Sequence, residues 1–169
     1  RIKNFPVNIA AITNISHDHL DYHKSMLNYK NAKFKLFLKY LDKNGLAVIN
    51  SRLSYYDNLI KNLKKKKIKY IVYGKKDIFF NKKNSNVTLN IYNKQFSIKN
   101  NHFSDIDIQN LECAIACCLA LKISRNKIIS ALSNITNPPG RLQQINYKRK
   151  KSKIIIDYAH TPDALKKIL

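Results

Sequence analysis

"LAVINSRLSYYDNLIKNLKKKKIKYIVYG", Leu46 to Gly74, decides the fold class. "LAVIN" (46–50) and "KYIVYG" (69–74) are apolar, β-branched runs of strand length, and Tyr55 to Lys66 between them reads as a helix. Upstream, "VNIAAIT" (7–13) is another buried strand ending in polar punctuation. Ser25 to Leu41 is helical, with Met26, Tyr29, Ala32/Lys33, Leu36/Phe37 and Tyr40 on one stripe, and "DKNG" (42–45) is a turn. Strand, helix, strand, helix, strand at this spacing requires a parallel sheet.

Downstream the pattern changes. "NVTLNIYNKQFSIK" (86–99) alternates apolar and polar residues around Asn93-Lys94, which predicts an antiparallel hairpin. Helices are expected at 108–122 and 125–134, and "NPPG" (137–140) breaks the chain as a domain hinge would. "RLQQINY" and "KIIIDYA" then read as two strands around the basic turn "KRKKS". "TPDALKKIL" opens a helix with Thr161 as N-cap and Pro162 at its first position. The expected fold is α/β: a mostly parallel sheet flanked by helices, with a small β-hairpin, followed from residue 139 by the start of a second domain.

At 169 residues, with 44% of them hydrophobic, the chain holds one good-sized domain, or one plus the beginning of another. A formal net charge of +22, from 32 Lys+Arg against 10 Asp+Glu, ordinarily points to nucleic acid or an anionic membrane. Here lysine is spread over turns and every helix beside abundant Asn and Ile, as an AT-rich coding bias produces, so a solvated basic surface is the better reading. The dense run Lys64–Lys67 falls at a helix end, where cations complement the dipole. No apolar run reaches membrane-spanning length, and a cytosolic location is expected. Cys113, Cys117 and Cys118 all lie in the apolar helix "NLECAIACCLAL", where buried reduced thiols are favoured over zinc ligands.

Chemistry concentrates at two strand ends. "HDHLDYH" (17–23) follows the first strand, at the edge of a parallel sheet where ligands usually bind. Mg²⁺ prefers oxygen ligands, so one histidine, at most two, would touch such an ion. Taken alone, the cluster fits a metal site and a structural loop cap equally well. At the other end, "IIIDYAHTPDAL" brings Asp157 off a strand and sets His160 just before a helix N-terminus, an arrangement suited to ribose hydroxyls and phosphates. Capping of a turn is the alternative reading of Asp157.

"TNISHDHLDYH", "YKNAK", "GR" after the hinge and "DYAHTPDAL" occur here in an order and spacing that resembles the Mur ligases, specifically the MurE type, the UDP-N-acetylmuramoyl-tripeptide synthetases. The resemblance runs from Arg1 to Leu169 and implies that residues 1–138 belong to the central ATPase domain, without its P-loop part. Residues 139–169 would then begin the Rossmann-like C-terminal domain. It implies ATP and Mg²⁺ as cofactors, and a reaction in which a diamino acid is joined to UDP-N-acetylmuramoyl-L-alanyl-D-glutamate through an acyl phosphate in peptidoglycan synthesis. It also implies a carbamylated Lys33 and His19 as Mg²⁺ ligands, while His17 and His23 are structural. A carbamate supplies the oxygens the ion prefers, and forming it requires a deprotonated amine, hence desolvation or neighbouring cations around Lys33.

By the same resemblance Arg1 would contact the UDP-linked muramoyl dipeptide, and Asn110, Arg141, Asp157 and His160 the nucleotide, with Arg141 also stabilising the developing charge. The sequence departs from the family at Ile106-Asp107, where Phe-Asn is usual. "GxxxxGK[ST]" is absent, as are the acidic metal ligand expected upstream and the amino-acid selectivity segment expected downstream, so this chain by itself is expected to be inactive and a fragment or decayed product of the ligase; separately, a monomer is expected. Two rivals stand beside this reading: another Mur or folylpolyglutamate-type ligase, and a basic nucleic-acid-binding module. The second would need aromatics interleaved with arginines on one face, and the chain offers scattered lysines.

Overall fold

A computed structural model describes residues 7–15, 20–83, 86–98, 103–136, 138–146, 153–160 and 162–168. Arg1, His17, His19, Thr161 and the basic turn lie outside the described residues. Strands β1 (Val7–Ile12), β2 (Leu41–Asn50), β3 (Lys69–Tyr73), β4 (Ile78–Lys83), β5 (Asn86–Ile91) and β6 (Lys94–Ile98) form one sheet in chain order. The pairs from β1 to β4 are parallel, and those from β4 to β6 antiparallel. A second, two-stranded antiparallel sheet joins β7 (Gln143–Asn146) to β8 (Lys153–Ile156).

Helices cover both faces of the large sheet. Helix α1 (Leu20–His23) precedes α2 (Met26–Lys35), which widens into a π turn over Leu36–Tyr40, and α3 (Tyr56–Lys65) joins β2 to β3. Their side packs Phe34, Phe37, Leu59 and Leu63 against Ala10, Ile12, Ala47 and Ile49. On the opposite face α4 (Asp105–Ala120) and α5 (Arg125–Leu132) place Ile108, Ile115 and Ile128 against Val48, Ile71, Tyr73, Leu89 and Ile91. Successive β2 residues Ala47, Val48 and Ile49 are all fully buried because their side chains alternate between these two layers. Helix α6 (Pro162–Ile168) follows β8.

Four local features differ from the sequence-based expectation. The "DKNG" turn lies inside β2: Val7 pairs with Leu41 and Ile9 with Leu46, so Asp42–Gly45 bulge opposite Asn8. The Asn44 N–H donates to Asp42 Oδ1 at 2.8 Å, and a Cβ on Gly45 would lie 2.9 Å from the Asn8 carbonyl oxygen, which only glycine avoids. On α2 the buried face runs through Tyr29 and Phe34 and on to Phe37, leaving Ala32 and Lys33 exposed, since the larger rings take the sheet-facing space. The hairpin turn is Tyr92-Asn93, one residue earlier than expected, with both residues at positive φ as two-residue hairpins of the I′ kind demand.

Strand β4 is the fourth, and it has no counterpart in the expectation. Ile78 and Phe80 face the core while Asn81–Lys83 are exposed, so its apolar signal is only three residues long, Ile78 to Phe80. It forms because Gly74, at φ +105°, turns the chain sideways: the Gly74 N–H donates to the Ile78 carbonyl at 2.7 Å, and the Val72 N–H to Asp77 Oδ2 at 2.8 Å.

Candidate functional site

The parallel strands end on one edge, and the chain leaving them meets the first turns of α4 there. A hydrogen-bonded network ties these ends together. The Arg52 guanidinium grips Glu112 with two prongs, Nη1 to Oε2 at 2.6 Å and Nη2 to Oε1 at 3.2 Å, and Nη2 also donates to the Gly74 carbonyl at 2.9 Å. Glu112 is fully buried in α4 and accepts a further bond from the Phe80 N–H at 3.0 Å. The Arg52 N–H donates to Asn50 Oδ1 at 2.9 Å, and Asn50 Nδ2 to the Thr13 carbonyl at 2.6 Å. Sequence reasoning did not single out these residues. The available signal was a lone carboxylate in the apolar helix "NLECAIACCLAL", which needs a buried partner to be tolerated.

Beside this network opens a cavity of about 800 Å³. Asn14 after β1, Asp107 and Asn110 on α4, Arg141 and Asp157 beyond the 137–140 break, and Ile168 on α6 are among its lining residues. Three residues expected at a nucleotide site, Asn110, Arg141 and Asp157, therefore share one cavity although 31 and 16 positions separate them in turn along the sequence. Asp157 also acts as a staple: Oδ2 accepts the Leu142 N–H at 2.9 Å and Oδ1 the Ala159 N–H at 2.7 Å. That fixes the residue next to Arg141, whose guanidinium lies over the Tyr158 ring at 5.2 Å. His160 is exposed, edge-on to the same ring at 5.1 Å, and is not among the cavity's lining residues.

Lys33 stands apart from this cavity. It is exposed rather than desolvated, and its Nζ lies 5.2 Å from the centre of the buried Tyr29 ring. Lys30 stands over Tyr55 at 5.1 Å, so two cations of α2 rest on aromatic faces. His23 packs between Tyr22 and Tyr29, in keeping with a structural part. Among the described residues no group of three or more His, Cys, Asp or Glu could hold a metal ion.

The cysteines are free and half-buried, less deeply placed than expected. Its contact with Cys117, and then that with Tyr73, holds the Cys113 thiol down to about 7 against the opposing effect of burial. The same contact, with burial, pushes Cys117 up. Tyr73 is pushed up chiefly by burial, and its hydroxyl donates to the Ile12 carbonyl at 2.9 Å. No helix among the described residues is long and apolar enough to cross a membrane.

Residues 1–118 match the model of the Mur ligase middle domain. The UDP-N-acetylmuramoyl-L-alanyl-D-glutamate–2,6-diaminopimelate ligase of Rickettsia bellii is 35% identical over all of this chain and 36% of its own length. The chain thus spans about a third of the length of the curated relatives it matches. Among solved structures, MurF from Acinetobacter baumannii has a TM-score of 0.80 at 20% identity, covering 94% of this chain and 36% of that one. A UDP-N-acetylmuramoyl-L-alanyl-D-glutamate–2,6-diaminopimelate ligase structure has a TM-score of 0.70 at 25% identity, covering 96% and 34%. The sheet order, the helices on both its faces and the match over residues 1–118 lead to one conclusion: this chain belongs to the Mur ligase family.

Proposed function

We propose that the protein to which these residues belong is an ATP-dependent amide ligase of peptidoglycan synthesis, adding 2,6-diaminopimelate to UDP-N-acetylmuramoyl-L-alanyl-D-glutamate. The observation that carries this reading is the shared cavity of Asn110, Arg141 and Asp157, drawn from both sides of the 137–140 break. An amide, a fixed cation and a carboxylate in one cleft suit a nucleotide's base, phosphates and ribose. On this reading Asn110 meets the base and Arg141 offsets the charge that develops on the transferred phosphoryl group. Asp157 keeps Arg141 in place through Leu142. The names of the relatives favour diaminopimelate over lysine as the diamino acid.

In the reaction the γ-phosphoryl group passes to the terminal carboxylate, giving ADP and an acyl phosphate. The amine then attacks the acyl carbon, phosphate leaves, and an amide remains. Arg1 is proposed to contact the muramoyl dipeptide and His160 the nucleotide. Lys33, as a carbamate, and His19 are the proposed ligands of Mg²⁺, which would supply charge neutralisation at the phosphates. The described residues alone do not make such a site, because Lys33 carries no oxygen until modified. Residues 1–138 and 139–169 are proposed to belong to the central and C-terminal domains of a cytoplasmic monomer. The test is phosphate release by the full-length protein with the UDP-linked dipeptide, ATP and either diaminopimelate or lysine. Release dependent on diaminopimelate supports the proposal, and none with either amine overturns it.

A further inference from the structure

The Arg52–Glu112 pair is costly by itself. Glu112 is fully buried while the Arg52 side chain keeps 30% of its surface exposed, so the desolvation cost falls on the carboxylate and the pair by itself is poor evidence for stability. What distinguishes this one is the set of segments it joins. The two side chains join Gly74 at the end of β3, Phe80 in β4 and the middle of α4, while the Arg52 backbone N–H holds Asn50 at the end of β2 and, through it, Thr13 at the end of β1. Thr13 adjoins Asn14, which lines the cavity, and Glu112 lies two residues past Asn110, which lines it too. Two residues along a helix is more than half a turn, so Glu112 faces the sheet while Asn110 faces the cavity.

We infer that Arg52 and Glu112 are positioning residues that set α4 against the strand ends, and so fix the separation of the Asn14 and Asn110 walls of the cleft. Geometry favours arginine for this task. One guanidinium prong serves Glu112 alone and the other serves both Glu112 and the Gly74 carbonyl, which a lysine ammonium cannot reproduce from the same place. Gly74 leaves room for it, since a Cβ there would lie 2.6 Å from Nη1. The inference rests on the nucleotide reading above only for what fills the cleft.

The experiment compares Arg52→Leu, the double variant Arg52→Leu/Glu112→Leu, Arg52→Lys and Glu112→Gln in this chain, by melting temperature and by amide hydrogen exchange. Arg52→Leu strands a buried carboxylate and should lower the melting temperature by roughly 10 °C, while the double variant should recover to within about 2 °C of the unaltered chain. In the double variant the amides of Ser51 and residues 108–112 should nonetheless exchange at least about tenfold faster. Arg52→Lys should show the same local loosening. Glu112→Gln keeps the shape and the Phe80 bond, and should raise exchange at those amides about threefold. In the full-length ligase the double variant should raise KM for ATP roughly tenfold with kcat within about twofold. Recovery of both stability and local protection in the double variant, or unchanged exchange in Glu112→Gln, overturns the inference. A full-length ligase that does not use ATP at all overturns the functional reading instead, and leaves the exchange result standing.

Discussion

Asp107 Oδ2 accepts the Ser104 N–H at 2.9 Å and the Ser104 hydroxyl at 2.6 Å, while the Asp107 N–H donates back to Ser104 Oγ at 3.2 Å. This reciprocal cap closes the N-terminus of α4. The carboxylate is committed to the helix and adds a negative charge where the dipole favours one. Asp107→Ala should therefore cost about 1 kcal/mol of stability, and Asp107→Asn about half of that, because the amide oxygen still accepts the bond but the charge is gone. Urea denaturation of the two variants checks this. Equal losses in both would mean that the charge contributes nothing.

The parts legible in the sequence were those with a long, uniform signal. Ala47–Ile49 and Ile71–Tyr73 are buried on both faces, so their apolar runs are uninterrupted, and the 7–13 strand keeps a readable signal although Asn8 and Ala11 are exposed. Strand β4 escaped because its apolar content is Ile78, Phe79 and Phe80, and because its place depends on the sideways turn at Gly74, a feature of tertiary pairing. Asn110, Arg141 and Asp157 are named from the family resemblance, and one cavity brings them together. The Arg52–Glu112 pair was not found. Its two members are 60 residues apart, and neither periodicity nor motif links them.

Gly74 is constrained both by its backbone angle and by its neighbours. It has φ +105°, and a Cβ there would lie 2.6 Å from Arg52 Nη1 and 2.7 Å from Ser51 Oγ. Gly74→Ala combines backbone strain with displacement of the guanidinium, for an expected cost of about 2–3 kcal/mol. A shift in the urea midpoint at constant slope would report it. A loss within about 0.5 kcal/mol would show that the turn relaxes freely.

Cys113 should alkylate with a midpoint near pH 7, since its thiol is held down to about 7 from the ordinary 9.0, first by Cys117 and then by Tyr73. The sign for stability follows. A thiol whose folded value is depressed contributes stability that is fully present above the unfolded value and is lost as pH falls through the folded one. Between pH 9 and pH 7, then, this contribution declines on acidification. Cys117→Ala removes the main donor, so the alkylation midpoint should move upward. Iodoacetamide labelling followed by mass spectrometry, from pH 6 to pH 10, reads both changes. A midpoint unmoved by Cys117→Ala would place the cause elsewhere.

Lys33 tests the proposed carbamate, and the assay belongs to the full-length enzyme. The side chain is exposed, with Nζ over Tyr29, so carbon dioxide can reach it and the modification needs no opening of the core. If Lys33 works as a carbamate, Lys33→Ala removes the anionic oxygens and should lower kcat far more than it raises KM for ATP. Acetate or formate can enter the vacated space and offer equivalent oxygens, so activity should partly return with added carboxylate at constant ionic strength. Lys33→Arg should gain nothing from the same addition, because a permanent cation fills the space. A lysine that only rests on Tyr29 predicts a different pattern: alanine costs roughly 0.5–1 kcal/mol of cation–π contact, and carboxylates change nothing. Undiminished activity in Lys33→Ala would end the carbamate proposal, because the anion it supplies would then be dispensable.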